Sequence, residues 1–445
     1  MSNTSKVITR FAPSPTGFLH MGGVRTALYS YLFARQNNGN FVLRIEDTDK
    51  ERSKEEWTLG LINDLAWLGF KHDVFAKQSE RTEIYKKYLN KLINDGFAYI
   101  SKETPKEEGQ REEVIRFKNP NKKVKFHDLI RGDVEVDTTD LGDFVIAKSI
   151  DEPVYHLAVV VDDFEMGITH VIRAEEHLSN TPRQLLIQEA IGATRPTYAH
   201  LPLVLAEDRS KLSKRKHGET VSLTFYRNKG YLPEAVLNFV ALIGWNPGTD
   251  QEIFSLEELI KLFNLEKVQK GGAIFNVEKL NWINKEHIKR KSREEQKQEI
   301  TKYIPDYALP MLDKLLPIII DRINTYGEAK ELFDNGEFEY FFKEPEYAKE
   351  KLLWKDEKDF ENTKKHLSKI IEELSKLPND SFTALSIKES LWNYATENGR
   401  GSVLWPMRFA LSGKDKSPDP FTLAEILGKE ISIKRINNAL NKIND

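Results

Sequence analysis

His20 is the side chain from which the chemistry of this sequence can be built. It stands within residues 10–25, RFAPSPTGFLHMGGVR, between a Pro/Gly-rich turn and a run with helical spacing. Pro13 and Pro15 fix the path of the turn, while Gly17, Gly22 and Gly23 let a ligand come close to the backbone. The free N–H groups and positive dipole end of a helix start favour phosphate. An imidazole beside them can donate to an oxygen that gains charge in phosphoryl or adenylyl transfer. A bare His-x-Gly is equally the mark of a core histidine in a structural loop. A second cluster, residues 208–218 (DRSKLSKRKHG), gathers Lys211, Ser213, Lys214 and Arg215. By itself such a basic loop fits solvated surface or a nucleic-acid contact.

Regular elements must position these groups. Residues 7–11 (VITRF) are an apolar run of strand type. Val24, Ala27, Leu28, Tyr31 and Leu32 then recur at helical spacing and mark one buried face. Asn37-Asn38-Gly39 signals the end of that helix, and residues 41–45 (FVLRI) form a second strand. Strand, turn, helix, strand is a βαβ unit, so the turn falls at the carboxyl end of a parallel strand, where open α/β sheets bind ligands. Ser53-Lys54-Glu55-Glu56 predicts a capping box ahead of Trp57, Leu61, Leu65 and Leu68. Tyr85, Tyr88, Leu89 and Leu92 mark a further helix.

The charged stretch 101–112 predicts an exposed loop. Short runs at 113–117, 124–130, 134–136 and 144–147, split by turn residues, predict a small antiparallel β-rich insert within the α/β domain. The α/β pattern resumes at Tyr155, and residues 168–173 (ITHVIR) read as a strand. Thr181-Pro182-Arg183-Gln184 predicts a boxed helix start, and Gly192 its end. Phe254-Ser255-x-x-Glu258 opens another helix. From about residue 310 the periods are helical: Leu367, Ile370, Ile371 and Leu374, then Ile387, Leu391, Tyr394 and Ala395, then Ile433, Ile436 and Leu440. The expected organisation is a Rossmann-like parallel-sheet domain in two halves, residues 1–95 and 151–205, split by the insert at 96–150. Residues 206–310 carry the basic loop and a helical connection, and 311–445 an all-α region.

With 445 residues, 40% of them hydrophobic, the chain can fill roughly three cores. No apolar run approaches the ~18 residues of a membrane span, and no signal-peptide pattern opens the sequence, so a cytoplasmic location is expected. The absence of cysteine excludes disulfides and thiolate-ligated zinc. With 66 basic and 69 acidic residues the net charge is −3, so a polyanion must be held by a local basic surface.

The pattern PSPTG-x-LH-x-GG-x-R-T over residues 13–26 resembles the HIGH signature of class I aminoacyl-tRNA synthetases, in the form carried by bacterial-type glutamyl-tRNA synthetases. Gly23 departs from the second His of the four-letter pattern, as is common in that branch. Arg44-Ile45-Glu46-Asp47-Thr48-Asp49, YHLAVVVDD at 155–163, MG-x-T-x-VIR-x-EEH at 166–177 and Ser179-Asn180-Thr181-Pro182 are similar to the same family, in the same order. Lys211-Leu212-Ser213-Lys214-Arg215 resembles its KMSKS loop, 191 positions after His20 (211 minus 20). NVEKLNWI at 276–283 and Trp405-Pro406-Met407-Arg408-x-Ala410-Leu411-Ser412-Gly413 extend the likeness into the tRNA-binding half.

The resemblance implies a glutamate–tRNA ligase that activates L-glutamate with ATP and Mg²⁺ and transfers it to the 3′ end of tRNA(Glu), acting as a monomer; without cysteine, no zinc is expected. It implies ATP contacts from His20, Gly22, Gly23, Lys211, Ser213 and Lys214, with His20, Lys211 and Lys214 acting on the phosphates. It assigns glutamate to Arg10, Ala12, Ser14, Glu46, Tyr155 and Arg173, and a tRNA contact to Arg408. Arginine forks suit the carboxylates, and Glu46 suits the ammonium; a purely structural pairing of Glu46 with Arg44 or Arg25 is the competing reading. The insert would approach the acceptor end, residues 206–310 the tRNA stem and the all-α region the anticodon. Relatives run longer between the positions of Tyr99 and Val114, some with zinc ligands. Two variants of this reading are an enzyme that also charges tRNA(Gln) and a paralogue that glutamylates an anticodon base. The latter resembles only the catalytic half, so the helices beyond residue 310 speak against it.

Overall fold

The computed structural model describes residues 6–104, 112–355 and 357–444, with the side chains of Lys214 and Arg215 outside the description. The chain forms two compact units, Met1–Arg290 and Lys291–Asp445.

In the first unit β1 (Ile8–Phe11) leads through the Pro/Gly turn into α1 (Met21–Gln36), and β2 (Asn40–Ile45) returns. α2 (Glu55–Trp67), β3 (Val74–Lys77) and α3 (Thr82–Asn94) complete the first half. The expected capping box at α2 is absent. Lys54 occupies the N-cap without a side-chain hydrogen bond, and the Ser53 hydroxyl is buried and unpartnered. Two acidic residues in the first turn, Glu55 and Glu56, offset the helix dipole instead.

The stretch from 96 to 150 does not make one sheet. β4 (Ala98–Lys102), β5 (Glu113–Phe117), β8 (Phe144–Ser149) and β9 (Glu152–Pro153) form an antiparallel sheet of their own, while β6 (Lys123–Asp128) and β7 (Gly132–Asp137) leave it. That hairpin extends the main sheet, where β6 lies parallel to β11 (Thr197–Leu201) with Asp128 opposite Tyr198. Ser101 and Lys102, expected in a loop, pair with Val114 and Glu113 as strand. Residues 105–111 of that loop lie outside the described residues.

α4 (Tyr155–Glu165), β10 (His170–Ala174) and α5 (Thr181–Ile191) precede β11. The seven-stranded sheet runs β3-β2-β1-β10-β11-β6-β7, parallel except for the last strand. The chain leaves β1 in one direction and resumes at β10 on its other side. The topological switch point therefore lies between the carboxyl ends of β1 and β10. Leu157 to Val161 of α4 are buried against Leu89, Leu92, Leu185 and Ile187, which accounts for the continuous apolar run in the sequence.

β12 (Val204–Leu205) then leads to α6 (Lys214–His217), α7 (Leu223–Asn228), α8 (Pro233–Ala241) and α9 (Leu256–Leu262). Here the helix expected from Phe254-Ser255-x-x-Glu258 is formed, and Ser255 and Glu258 make a reciprocal capping box. β13 (Ala273–Ile274) pairs with β12, and α10 (Val277–Arg290) closes the unit.

The second unit is helical: α11 (Arg293–Ile300), α12 (Leu312–Arg322), α13 (Tyr326–Asp334), α14 (Glu361–Lys376), α15 (Ala384–Asn398), α16 (Arg400–Ser412), α17 (Pro420–Leu427) and α18 (Lys429–Asn444). Leu367, Ile370 and Leu374 of α14 and Ile387, Leu391 and Ala395 of α15 are fully buried, as their spacing requires. Among the described residues no helix is long and apolar enough to cross a membrane.

Candidate active site

His20 is the N-cap of α1, with extended backbone (φ −94°, ψ 159°). Its Nδ1 accepts from the Gly23 N–H at 3.0 Å. The neutral ring therefore carries its proton on Nε2, turned away from the helix. The two glycines make this posture possible. A Cβ on Gly22 would stand 3.1 Å from His20 Nδ1, and one on Gly23 only 2.9 Å from Leu19 Cδ1. No acidic residue occupies the first turn of α1, so its dipole is left for an anion.

The basic loop is anchored at both ends. Ala206 N–H donates to Ser210 O at 2.8 Å, Leu212 N–H to Val204 O at 3.0 Å, and Leu205 bridges to Lys211. Ser213 N–H donates to His217 Nδ1 at 3.2 Å. Beyond α6 the backbone returns to the HIGH-like turn: Leu223 N–H donates to Leu19 O at 2.8 Å, and Ser222 forms a bridge with His20. Lys211 is half exposed and pairs with Glu176. His20 titrates below its ordinary value because desolvation outweighs the pull of Glu176, and Lys211 adds to the depression. Lys214 sits at the start of α6; its side chain lies outside the described residues.

The other end of the crevice is a buried ion network. Arg10, on β1, directs Nε at both oxygens of Asp163 (3.3 and 3.4 Å) and Nη1 at Ile172 O (3.3 Å). Arg44, on β2 and wholly buried, donates to Asp163 at 2.7 Å and to Glu46 at 3.0 Å. Its Nε lies 3.6 Å from Asp162. Asp162 in turn accepts from Gln78, Arg81 and Tyr85 at 2.7–2.8 Å. Burial raises the Glu46 carboxyl despite the opposing pull of Arg44, whereas Arg10 and Arg44 hold Asp163 below the usual carboxylate range in spite of its burial. The structural pairing of Glu46 with Arg44 is thus real, and its second oxygen makes no hydrogen bond to the described protein.

Arg173, on β10, donates from Nε to His200 Nε2 (3.1 Å) and from Nη2 to Thr181 Oγ1 (2.8 Å). Thr181 is already helical as the first residue of α5, and its hydroxyl accepts from Arg173 and donates to His177 O at 3.1 Å; the N-cap Asn180 makes no side-chain capping bond, so the expected Thr181/Gln184 box is absent. Tyr155 Oη lies 2.9 Å from His177 Nδ1. Burial raises the Tyr155 hydroxyl, and the charges of Arg173, Glu46 and Arg10 act on it as well. His177 is held down to about 4 by burial, then by Arg173 and Arg10. Arg10 Nη2 and Arg173 Nη1 make no hydrogen bond to the described protein, although the two residues are only 4% and 5% exposed.

Ala12 and Ser14 line the turn, with Glu46 N–H donating to Pro13 O at 2.9 Å. Arg408 belongs to the second unit, where it stacks over Trp405 at 4.7 Å and donates to Asp415 O at 2.9 Å. Sequence reasoning gave Arg44 only as a structural partner of Glu46, and assigned no role to Asp162, Asp163, Glu176, His177 or His200. The usable signals were a lone Arg inside the strand run FVLRI and a carboxylate pair ending the apolar run HLAVVV. A charge at such a position must be paired.

Comparison with known proteins covers both units. Residues 6–113 and 104–282 match the family described as tRNA synthetases class I (E and Q), catalytic domain. Residues 282–440 match the anticodon binding domain. A glutamate–tRNA ligase of Aquifex aeolicus is 43% identical over 99% of this chain and 100% of its own length. Glutamate–tRNA ligase 1 of Caldicellulosiruptor saccharolyticus is 41% identical over 97% of this chain and 98% of its own. The crystal structure of a glutamate tRNA ligase from Elizabethkingia meningosepticum, in complex with its amino acid, superposes with a TM-score of 0.85 at 35% identity, covering 99% of this chain and 100% of that one.

Proposed function

This chain belongs to the class I tRNA synthetases of the E and Q group and acts as a glutamate–tRNA ligase, and from that membership we propose how its crevice performs the reaction. Glutamate, ATP and tRNA are its substrates. Neither the attack of the amino-acid carboxylate on the α-phosphorus nor the later attack of a tRNA ribose hydroxyl on the acyl-adenylate needs an enzyme nucleophile. The protein supplies position and charge.

Arg10 Nη2 and Arg173 Nη1 receive the carboxylates of glutamate, Tyr155 adds a hydroxyl, and the free oxygen of Glu46 takes the ammonium. Ala12 and Ser14 border the same space. The triphosphate lies over the start of α1 at Gly22 and Gly23. His20 Nε2–H donates to a phosphate oxygen, while Lys211, Lys214 and Ser213 close from the loop and offset the charge on departing pyrophosphate. Magnesium would accompany the nucleotide and offset part of the triphosphate charge. The second unit receives the anticodon arm, with Arg408 among its contacts, and the protein works as a cytoplasmic monomer.

The observation that carries this reading is the backbone tie between the HIGH-like turn and the segment that follows the basic loop, Leu223 N–H to Leu19 O with His20 bridged to Ser222. ATP–pyrophosphate exchange with glutamate, with and without tRNA, tests it together with charging of tRNA(Glu) and tRNA(Gln) side by side. Exchange and charging of tRNA(Glu) are expected. Absence of glutamate-dependent exchange under both conditions overturns it.

A further inference from the structure

Behind Arg173 stands a second buried pair that the reaction as described does not use. His200 and Asp128 are both wholly buried, and His200 Nδ1 lies 2.6 Å from Asp128 Oδ2. Asp128 Oδ1 also accepts from the backbone N–H groups of Ile130 (3.0 Å) and Arg131 (2.9 Å). The His200 N–H reaches the same carboxylate at 3.1 Å. An arginine Nε can only donate, so His200 Nε2, 3.1 Å from Arg173 Nε, must be an unprotonated acceptor. The imidazole is then neutral, with its proton on Nδ1 and directed at Asp128. Burial, ahead of every other influence, depresses His200, in keeping with this form. Tyr198 stacks on the ring at 5.9 Å and 9°, and its face also underlies the Arg173 guanidinium at 5.5 Å.

We propose that Asp128 and His200 are positioning residues for substrate recognition: Asp128 fixes the His200 tautomer, and His200 Nε2 fixes the Arg173 guanidinium with Nη1 turned to a glutamate carboxylate. This rests on the assignment of Arg173 to the amino acid. Asp128 reaches the site only because β6 leaves the insert and joins the main sheet beside β11. The carboxylate on which the fork depends therefore comes from outside the βαβ halves.

The relay makes a specific demand on Asp128→Asn. The N–H groups of Ile130 and Arg131 require an oxygen at the Oδ1 position, so the new amide nitrogen must face His200 Nδ1. The ring then carries its proton on Nε2, where Thr181 Oγ1 at 3.1 Å can accept it, and Arg173 Nε loses the acceptor that fixes the guanidinium. The test begins with charging of tRNA(Glu) by the wild-type enzyme, which checks the underlying activity separately. In Asp128→Asn the KM for glutamate is expected to rise at least about tenfold while the KM for ATP changes less than about twofold. His200→Phe keeps the bulk but removes the acceptor and should show the same split. His200→Gln retains one donor and one acceptor and should return the glutamate KM to within about threefold of wild type. Thermal unfolding of each variant reports whether the fold is kept. An unchanged glutamate KM in folded Asp128→Asn overturns the proposal, and so does equal loss in folded His200→Phe and His200→Gln, which would make the ring a packing element.

Discussion

At the end of the crevice proposed for the amino acid Arg10, Arg44 and Arg173 are at most 5% exposed, and each holds at least two protein partners. At the end proposed for the phosphates the Lys211 side chain is 51% exposed and, among the described residues, pairs with Glu176 alone. A carboxylate is discriminated by forks that stand in place before it arrives, because any freedom left in them is lost on binding. A leaving pyrophosphate is stabilised only as charge develops, which suits a cation on a loop that can approach and withdraw. An exposed ion pair such as Lys211–Glu176 holds that loop weakly.

The contrast is broken most severely by removing Arg44. Arg44→Met leaves Asp163 and Glu46 buried with a partner missing and should cost about 3–5 kcal/mol in urea unfolding, whereas Glu176→Gln should stay within about 0.5 kcal/mol. Comparable losses in the two variants would erase the distinction. Lys214→Ala should lower kcat about 100-fold with little change in the KM for ATP; an unchanged kcat with a raised KM would make this lysine a ground-state contact. Arg173→Ala should reduce the preference for glutamate over glutamine in pyrophosphate exchange by about 10- to 100-fold. Unaltered preference would move discrimination elsewhere.

A smaller effect sharpens the same contrast through pH. His177 is held near 4 in the folded enzyme, below the ~6.5 of an unfolded histidine. Between these values the unfolded chain binds more protons at this site, so the His177 contribution lowers stability as pH drops from about 6.5 to 4 and is constant below. His177→Gln should flatten that decline by on the order of 1–2 kcal/mol, measured by denaturant midpoints across the window.

The strand–turn–helix order around His20 was legible because turn chemistry and helical period are local properties, and the loop at Lys211 was legible by its likeness to a family motif. The braces behind the arginines were not. Arg10 meets Asp163 across 153 positions, and Arg44 meets it across 119; no local pattern couples such pairs. Two helix starts show the same limit from the other side. Ser53 and Thr181 have capping-box spacing, yet one hydroxyl is buried without a partner and the other serves Arg173. At Ser255, where no tertiary partner competes, the same spacing does form the box.

The division of residues 96–150 between two sheets bears on how relatives can exchange parts. A chimera that swapped the whole stretch would also replace the rim of the catalytic sheet and, with it, Asp128. A transplant confined to β4, β5, β8 and β9 would leave that rim intact. The natural graft is a set of hydrogen-bonded strands, not a contiguous length of chain.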